Sequence, residues 1–457
     1  MQQAAPVAKN DIVETDITGL THEGHGVGRV DGFALFIPGA LPGERVRVKV
    51  VKVKKQYGYG KLLDILSASP HRTEPACPVY ARCGGCQWQH LDYAEQLQWK
   101  RQQVVDALAR IGGLSSVPVH PTIGMAHPWQ YRNKAQVPVG LADGRVVTGF
   151  YAPRSHRVIP MERCGIQHPA AEKVLRAVRE WAQRWRIAVY DEERHAGLLR
   201  HVVVKTGFAT GEVMAILVTN GERVPHVQDL IARLRRAVPG LVSVIQNIQT
   251  ERTNVIFGER SRVLWGRDVI YDRIGDIRFA ISARSFYQVN PLQTEVLYAK
   301  AVEYAGLTGR ETVIDAYCGV GTISLFLARR ARHVYGVEVV PEAVEDARRN
   351  AALNGMDNVT FVAGEAETVI PQWAEEGMRA DVIVVDPPRK GCDPRLLDAI
   401  LAMSPPRVVY VSCNPATLAR DLKYLAENGY EVQEVQPVDM FPQTVHVECV
   451  TWLTKNF

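Results

Sequence analysis

Residues 313–322 read VIDAYCGVGT, and this stretch decides the fold of the C-terminal part of the chain. A short apolar run leads into Gly319 and Gly321, and a helical pattern follows from Ile323 to Arg330. A strand, a glycine turn and a helix in this order place the turn outside the carboxyl end of the strand, where open α/β sheets bind ligands. The stretch therefore predicts the first strand–helix unit of such a sheet, with a ligand pocket at the turn.

The same alternation continues through the rest of the C-terminal part. Short apolar runs separated by helical patterns cover residues 312–316, 333–337, 359–362, 381–385 and 407–412. This order predicts a mostly parallel sheet wound with helices on both faces, which is the Rossmann-like α/β class. Residues 430–453 lack helical spacing and predict two strands at the edge of the sheet.

The glycine turn also discriminates between cofactors. The second predicted strand ends at Glu338, close to the offset of about 20 residues at which an acid meets ribose hydroxyls. The third glycine of the dinucleotide fingerprint is missing, because Thr322, Ile323 and Ser324 follow Gly321. This departure disfavours NAD. It favours S-adenosylmethionine, which has a ribose but no pyrophosphate.

Size and composition set the wider frame. A chain of 457 residues, 46% of them hydrophobic, is typical of a soluble protein with two to four domains. No apolar stretch reaches the roughly 18 residues of a membrane span, and the first residues do not have the pattern of a secretory signal. We therefore expect a cytoplasmic protein with reduced thiols, no membrane partner and no obligate protein partner.

Three domains are predicted. Residues 1–66 alternate apolar and polar positions between turn residues, which indicates a small OB-like β-barrel. Residues 67–280 mix strand-like runs with amphipathic helices and indicate an α+β middle domain. Residues 281–457 form the α/β domain described above.

A basic segment lies within the predicted barrel. Seven Lys or Arg residues and no acid occupy the segment from Arg45 to Lys61, which favours a nucleic-acid partner over a merely solvated strand face. Tyr57 and Tyr59 in this segment offer flat rings for base stacking. Residues 131–134 and 200–201 of the middle domain are further candidates for RNA contacts, or equally for structural ion pairs.

Two more strand ends carry reactive groups. The strand at 382–385 ends in Asp386, and the strand at 408–411 is followed by Cys413. Glu448 lies in the last predicted strand, where it can face the same cleft.

A thiolate that adds to C6 of uracil makes C5 nucleophilic, and a base then removes the C5 proton. For such a role we expect the site to lower the pKa of the thiol. The alternative is that Cys413 is a buried small side chain and Glu448 an ion-pair partner.

Five motifs of the chain together resemble the RNA uracil-5-methyltransferase family, and its ribosomal RNA branch most closely. They are FYQVN at 286–290, DAYCGVGT at 315–322, DPPRKG at 386–391, SCNPAT at 412–417 and HVEC at 446–449. The resemblance covers nearly the whole chain. It implies that Cys413 is the nucleophile, that Glu448 is the proton acceptor, and that the methyl donor is held by Gln288, Tyr317, Glu338 and Asp386. It also implies a base contact for Asn290, a TRAM domain for the barrel, and a target uridine flipped out of its stack.

Four cysteines form a separate cluster. Cys77, Cys83 and Cys86 are closely spaced and Cys164 follows later, while Gly84 and Gly85 allow backbone N–H groups to approach a bound centre. Four thiolates suit zinc or an iron–sulfur cluster, and the spacing does not separate the two. The resemblance to the ribosomal branch implies a [4Fe-4S] cluster. Cys318, Cys392 and Cys449 are interpreted as packing residues.

Other functions compete with this interpretation. An adenine amino-methyltransferase also uses an Asp-Pro-Pro strand end, but an aromatic residue is expected where Arg389 stands. A cytosine-5 RNA methyltransferase has a cysteine within the Asp-Pro loop, where this chain has Pro387 and Pro388. A non-catalytic RNA-binding protein and a transfer RNA uracil-5-methyltransferase are the remaining alternatives. Because the transfer RNA enzymes of the family generally lack both the barrel and the cysteines, we expect 23S ribosomal RNA as the substrate.

Overall fold

A computed structural model describes residues 5–456, and its N-terminal part is a closed five-stranded barrel with the strand order β1-β2-β3-β5-β4. The strands are β1 (Ile12–Leu20), β2 (Gly26–Val30), β3 (Phe33–Ile37), β4 (Arg45–Val53) and β5 (Tyr57–Ser67). Alternation in β4 explains the barrel, because Val46, Val48 and Val50 fill its interior while the basic residues between them face outward. The predicted N-terminal β-barrel is confirmed.

The middle of the chain forms a seven-stranded mixed sheet with the order β12-β11-β10-β9-β6-β7-β8. Its strands are β6 (Lys134–Ala142), β7 (Arg145–Tyr151), β8 (Val158–Pro160), β9 (Leu199–Thr206), β10 (Val213–Thr219), β11 (Leu241–Ile248) and β12 (Arg260–Gly266). Two helices, α2 (Pro169–Arg184) and α3 (Val227–Ala237), pack on one face of this sheet. The other face shares a hydrophobic core with the C-terminal domain.

The C-terminal sheet has the order β17-β16-β15-β18-β19-β21-β20. After the hairpin β13 (Val269–Ile274) and β14 (Ile277–Ser282), the strands are β15 (Thr312–Ala316), β16 (His333–Glu338), β17 (Val359–Ala363), β18 (Val382–Val385), β19 (Arg407–Ser412), β20 (Tyr430–Val438) and β21 (Glu448–Lys455). The helices are α4 (Pro291–Ala305), α5 (Thr322–Ala328), α6 (Pro341–Leu353), α7 (Ala366–Glu375), α8 (Pro394–Met403) and α9 (Pro415–Glu427). β15 to β19 are parallel, and β20 and β21 close the edge in antiparallel pairing, as predicted.

Helix α1 (Tyr93–Ala107) lies within the range predicted for the middle domain, but it packs against α9 and β20 of the C-terminal domain. A π-helical turn at Leu108–Gly112 continues it. The ammonium of Lys100 forms a fully buried ion pair with Asp439, whose other carboxylate oxygen accepts a hydrogen bond of 2.8 Å from the Tyr93 hydroxyl. These contacts tie α1 to the loop that leads into β21.

No helix within residues 5–456 has both the length and the apolar character needed to cross a membrane.

Candidate active site

The carboxyl ends of three neighbouring strands bring Tyr317, Asp386 and Cys413 to one edge of the C-terminal sheet. Ala316 pairs with Val385, and Val385 pairs with Tyr410, so the residues that follow these strands emerge side by side. The strand order reverses between β15 and β18, and ligands of open α/β sheets bind at this switch point. The sequence prediction of a shared edge therefore agrees with the geometry.

Glu448 lies directly across from Cys413. Ser412 is paired with Cys449 in the antiparallel ladder of β19 and β21, and one further step in this register sets Cys413 opposite Glu448. Cys413 is half-buried, whereas Glu448 is only 5% exposed. Burial, and then the nearby Asp386 carboxylate, raise the pKa of Glu448 well above its usual value, against a smaller opposing effect of Arg389. Such a carboxylate is a stronger base than an exposed one once it is ionised.

The expectation of a lowered thiol pKa is wrong for this structure. Burial raises the pKa of Cys413 to about 11, and the carboxylates of Glu448 and Asp386 add to the effect by opposing a second negative charge. The Arg389 guanidinium acts in the opposite direction but does not compensate. The unliganded site therefore keeps Cys413 as a thiol at neutral pH.

Arg389 is held next to the nucleophile loop. Its carbonyl oxygen accepts hydrogen bonds from the Asn414 side-chain amide at 3.0 Å and from the Thr417 hydroxyl at 3.3 Å. The Asn414 backbone N–H in turn donates to the Ser412 hydroxyl at 3.1 Å. These bonds join the two loops, so Arg389, a cation that favours ionisation of both Cys413 and Glu448, belongs to the same unit. The sequence motif contained Arg389 but gave no signal of this electrostatic role.

The glycine turn lies where the sequence predicts a ligand pocket, at the carboxyl ends of β15 and β16. Gly319 and Gly321 have φ values of +54° and +81°, a region that favours glycine, and a Cβ at Gly321 would lie 2.9 Å from the Phe361 ring. The Glu338 carboxylate accepts a hydrogen bond from the Gly319 N–H at 3.1 Å. The side chain of Val339, next in the chain, is 59% exposed, so it offers an apolar surface beside this carboxylate.

Asp315 fits a positively charged ligand group in the same pocket. Its carboxyl is completely buried, with one oxygen bonded to the Ser324 hydroxyl and the other without a partner among residues 5–456. Burial raises the pKa of Asp315 to about 7, and burial has the same effect on Asp386. A bound cation is expected to reverse both shifts and to satisfy the orphaned oxygen.

The Gln288 side chain contacts Tyr298, a buried residue that the sequence did not single out, and Tyr298 lies near the carboxylates of the site. The Gln288 amide donates to the hydroxyl of Tyr298 at 3.4 Å, and the carboxylates of Asp386, Glu448 and Asp315 all raise the pKa of this buried phenol in addition to its burial. The residues expected to hold the methyl donor, Gln288, Tyr317, Glu338 and Asp386, thus surround one edge of the sheet together with Cys413 and Glu448.

Asn290 is not available to a base. Its side chain is buried, where its oxygen caps α4 by accepting from the Gln293 N–H and its amide donates to the Met440 carbonyl at 3.0 Å. The Arg200 guanidinium is likewise occupied by the carbonyl oxygens of Gln249, Glu251 and Thr253. These contacts favour structural roles for the Asn290 side chain and for the two terminal nitrogens of the Arg200 guanidinium.

Cys77, Cys83, Cys86 and Cys164 line a single cavity of about 380 Å³. Arg132 and Lys134 border the same space, and the Gly85 N–H donates to the Cys83 sulfur at 3.4 Å. No group of three or more metal-ligating side chains within residues 5–456 is close enough to hold a single ion. Cys318, Cys392 and Cys449 are buried, in agreement with packing roles.

The barrel carries an aromatic cluster on its basic side. Phe36 stacks on Tyr57 with ring centroids 5.0 Å apart, and Tyr59 meets both rings edge-on. Neither tyrosine is fully buried, and the neighbouring Lys54 and Lys55 are exposed. Flat rings next to cations can bind a single-stranded nucleic acid by stacking and charge.

Comparisons with known proteins agree with this geometry. The profile of the tRNA (Uracil-5-)-methyltransferase family matches residues 259–456, and the profile of the TRAM domain matches residues 6–63. An uncharacterized RNA methyltransferase of Halalkalibacterium halodurans is 62% identical over 99% of each chain, and one of Clostridium tetani is 52% identical over 99% of this chain and 98% of its own. The crystal structure of Pyrococcus abyssi tRNA (uracil-54, C5)-methyltransferase in complex with S-adenosyl-L-homocysteine is 29% identical, covers 97% of this chain and 100% of its own, and has a TM-score of 0.78. The chain therefore belongs to the RNA uracil-5-methyltransferase family, as an S-adenosylmethionine-dependent enzyme with a TRAM domain.

Proposed function

We propose that this enzyme methylates C5 of a uracil in RNA through a covalent bond between the Cys413 sulfur and C6 of the base. The observation that carries the proposal is the placement of a half-buried thiol, after β19, opposite a buried carboxylate on β21. A base in this cleft lies between a nucleophile and a proton acceptor, which is the pair of groups that C5 methylation requires.

The residues around the glycine turn suit the methyl donor. Glu338 would accept hydrogen bonds from the ribose hydroxyls, and the orphaned oxygen of Asp315 would meet the amino group of the methionine part. Gln288, Tyr317 and Asp386 complete the binding set. S-adenosylmethionine supplies a methyl group that C5 of the activated base takes up.

The remaining steps belong to the chain's own side chains. The Cys413 thiol loses its proton to solvent, and the thiolate adds to C6, so that the π electron pair of the C5–C6 double bond moves onto C5 and the adjoining C4 carbonyl as an enolate. After C5 has gained the methyl group, the Glu448 carboxylate removes the C5 proton. The electrons of that C–H bond re-form the C5–C6 double bond and release the thiolate. Arg389 favours the ionised forms of both groups.

The direct test is release of tritium from RNA that carries C5-tritiated uridine. We expect tritium in solvent only when S-adenosylmethionine is present, in equal amounts to the methyl groups transferred. Methyl transfer without tritium release would contradict the proposal, because an amino- or ribose-directed methyltransferase does not touch the C5 hydrogen.

Activity is expected to increase with pH. Since the Cys413 thiol has a pKa raised to about 11, its thiolate fraction increases about tenfold per pH unit over the neutral range. The raised pKa of Glu448 acts in the same direction, because the carboxylate is the active form. We predict that kcat/KM for tritium release rises by about tenfold per unit between about pH 7 and 9. A flat or falling profile would show that Cys413 is already ionised in the free enzyme.

We propose a [4Fe-4S] cluster for the four-cysteine cavity, with zinc as the alternative. A cavity of about 380 Å³ that all four cysteines line exceeds what one ion occupies, which supports a larger centre. The Gly85 N–H bond to sulfur and the nearby Arg132 and Lys134 would offset the negative charge of a cluster with four thiolate ligands.

We predict that protein purified without oxygen is brown and contains about four iron atoms per chain by metal analysis. Replacing Cys86 by Ser should lower the iron content and the absorbance of the cluster, whereas replacing the buried Cys392 by Ala should change neither. Stoichiometric zinc in place of iron would overturn the assignment.

The substrate we propose is 23S ribosomal RNA. Its support is the combination of the motif set with the cysteine spacing. The Pyrococcus abyssi transfer RNA enzyme aligns over 97% of this chain, so the barrel alone does not distinguish ribosomal from transfer RNA, and transfer RNA is the second candidate. Nuclease mapping of the modified uridine, after reaction with ribosomal and transfer RNA from cells that lack the enzyme, decides between the two.

A further inference from the structure

A second cavity, of about 650 Å³, lies on the middle domain and shares no lining residue with the sheet edge of the candidate active site or with the four-cysteine cavity. The end of β7 and the loop before β8 form one wall, and the loops around Glu192 and Asn254 form others. Its lining includes Tyr151, His156, Tyr190, Glu192, Arg200 and His201.

Two buried polar atoms of this cavity have no partner among residues 5–456. They are Nε of Arg200 and Nδ1 of His201, on side chains that are 5% and 9% exposed. Burial lowers the pKa of His201 to about 4, so the imidazole is neutral at physiological pH and offers one donor and one acceptor. Buried polar groups in native proteins are nearly always satisfied, so orphaned atoms on a cavity wall indicate a ligand with complementary polar groups.

Flat surfaces accompany these polar atoms. The Tyr151 ring stacks on His156 with ring centroids 5.1 Å apart. The Tyr190 ring is covered on one side by the Arg200 guanidinium at 4.2 Å. Stacked rings held in this way are pre-organised to receive a planar ligand.

The negative charge on the rim of the cavity favours a base over a phosphate as the bound part of a nucleotide. Asp191, Glu192 and Glu193 follow one another on the rim and are exposed. Carboxylates repel phosphates, but they accept hydrogen bonds from the exocyclic amino groups of bases. The cavity therefore favours the edge of a base with an amino group, which uracil lacks.

The cavity lies at the beginning of β9, where Arg200 and His201 line it. His201 is two residues before Val203 in β9, so both side chains lie on the same face. Val203 belongs to the core shared with β15 and α4. His201 thus places one wall of the cavity at the margin of the core between the two domains.

We propose that this cavity binds an unpaired, amino-bearing nucleobase of the RNA substrate, at a nucleotide other than the methylated uridine. The inference rests on the proposed function to the extent that RNA is the substrate. It adds a base-reading site to the enzyme, because stacking and hydrogen bonds at this cavity would select cytosine, adenine or guanine over uracil.

The test compares fluorescent oligo(C) and oligo(U) of equal length, because the two bases differ by the amino group. Binding is measured on full-length Cys413→Ala protein without methyl donor. Adding Glu192→Ala should weaken oligo(C) binding by about tenfold and leave oligo(U) binding within about twofold. If the carboxylates merely repel RNA, both affinities should increase together, and that result would overturn the proposal.

Two further variants serve as controls. Tyr151→Ala removes the stacking surface and should also reduce oligo(C) binding selectively, whereas Tyr57→Ala in the barrel should weaken both oligonucleotides equally. Glu180→Ala on α2 removes an exposed carboxylate elsewhere and should not change the ratio of the two affinities. An unchanged ratio in both cavity variants contradicts the proposal. Because no chemistry occurs in this assay, its outcome is separate from that of tritium release, which tests the proposed function.

Discussion

Replacing Cys413 by Ala is expected to lower the rate of methyl transfer by at least about 10⁴-fold while RNA binding is retained. C5 of a neutral uracil is a poor nucleophile, and the remaining groups at the sheet edge cannot add to C6. Glu448 is buried and has a raised pKa, and Asp386 has the same property. Without the sulfur, the base would bind beside the donor and remain unreacted. The rate is measured by methyl incorporation into RNA under single-turnover conditions.

A matched control is available in the same domain. Cys392 is 3% exposed and packs under the loop that follows Asp386, so Cys392→Ala should keep activity within about tenfold of the natural enzyme. Equal RNA affinity of the two variants would exclude misfolding as the cause of any loss. If Cys413→Ala retained substantial methyl transfer, the reaction would not proceed through a thiolate adduct. If instead the unaltered enzyme bound RNA and transferred nothing, it would be a binding protein.

The architecture of the C-terminal domain was accessible from the sequence because its signals are local. Each buried strand of a parallel sheet is a short apolar run, and the residue that follows it lies at the ligand-binding edge. Asp386 and Cys413 could therefore be assigned to one edge before the structure was known. The position of Glu448 followed less directly, since the register of β21 against β19 depends on tertiary pairing.

Properties that arise between distant segments could not be predicted in the same way. Burial, and then the Glu448 carboxylate on another strand, raise the pKa of Cys413, so a rule for isolated reactive thiols gave the wrong direction. Helix α1 was assigned by sequence position to the middle domain, yet the buried Lys100–Asp439 pair attaches it to the C-terminal domain. The polar residues Asn290 and Arg200 suggested RNA contacts, but backbone carbonyls far along the chain accept hydrogen bonds from the Asn290 amide and from the two terminal nitrogens of Arg200.

Glu448→Gln is expected to convert the enzyme into a trap for its substrate. The amide has nearly the same shape as the carboxyl, so the buried position should tolerate it. Replacing the carboxyl also removes one of the groups that raise the pKa of Cys413, which favours addition to C6. Proton removal from C5 then fails, because a neutral amide is a far weaker base. We predict that product release falls by about 10² to 10⁴-fold.

The trapped species should be visible as a protein–RNA adduct that survives denaturing electrophoresis and carries the transferred methyl group. It should form only with S-adenosylmethionine present and should disappear in the double variant with Cys413→Ala. Glu434→Gln on the neighbouring strand β20 removes a carboxylate that pairs with His120 outside the cleft, and it should give no adduct. Normal tritium release from Glu448→Gln would assign proton removal to another group. The adduct accumulates only when the Cys413 sulfur is present and the Glu448 carboxylate has been removed. Its accumulation therefore tests Cys413, after β19, and Glu448, on β21, as one catalytic pair.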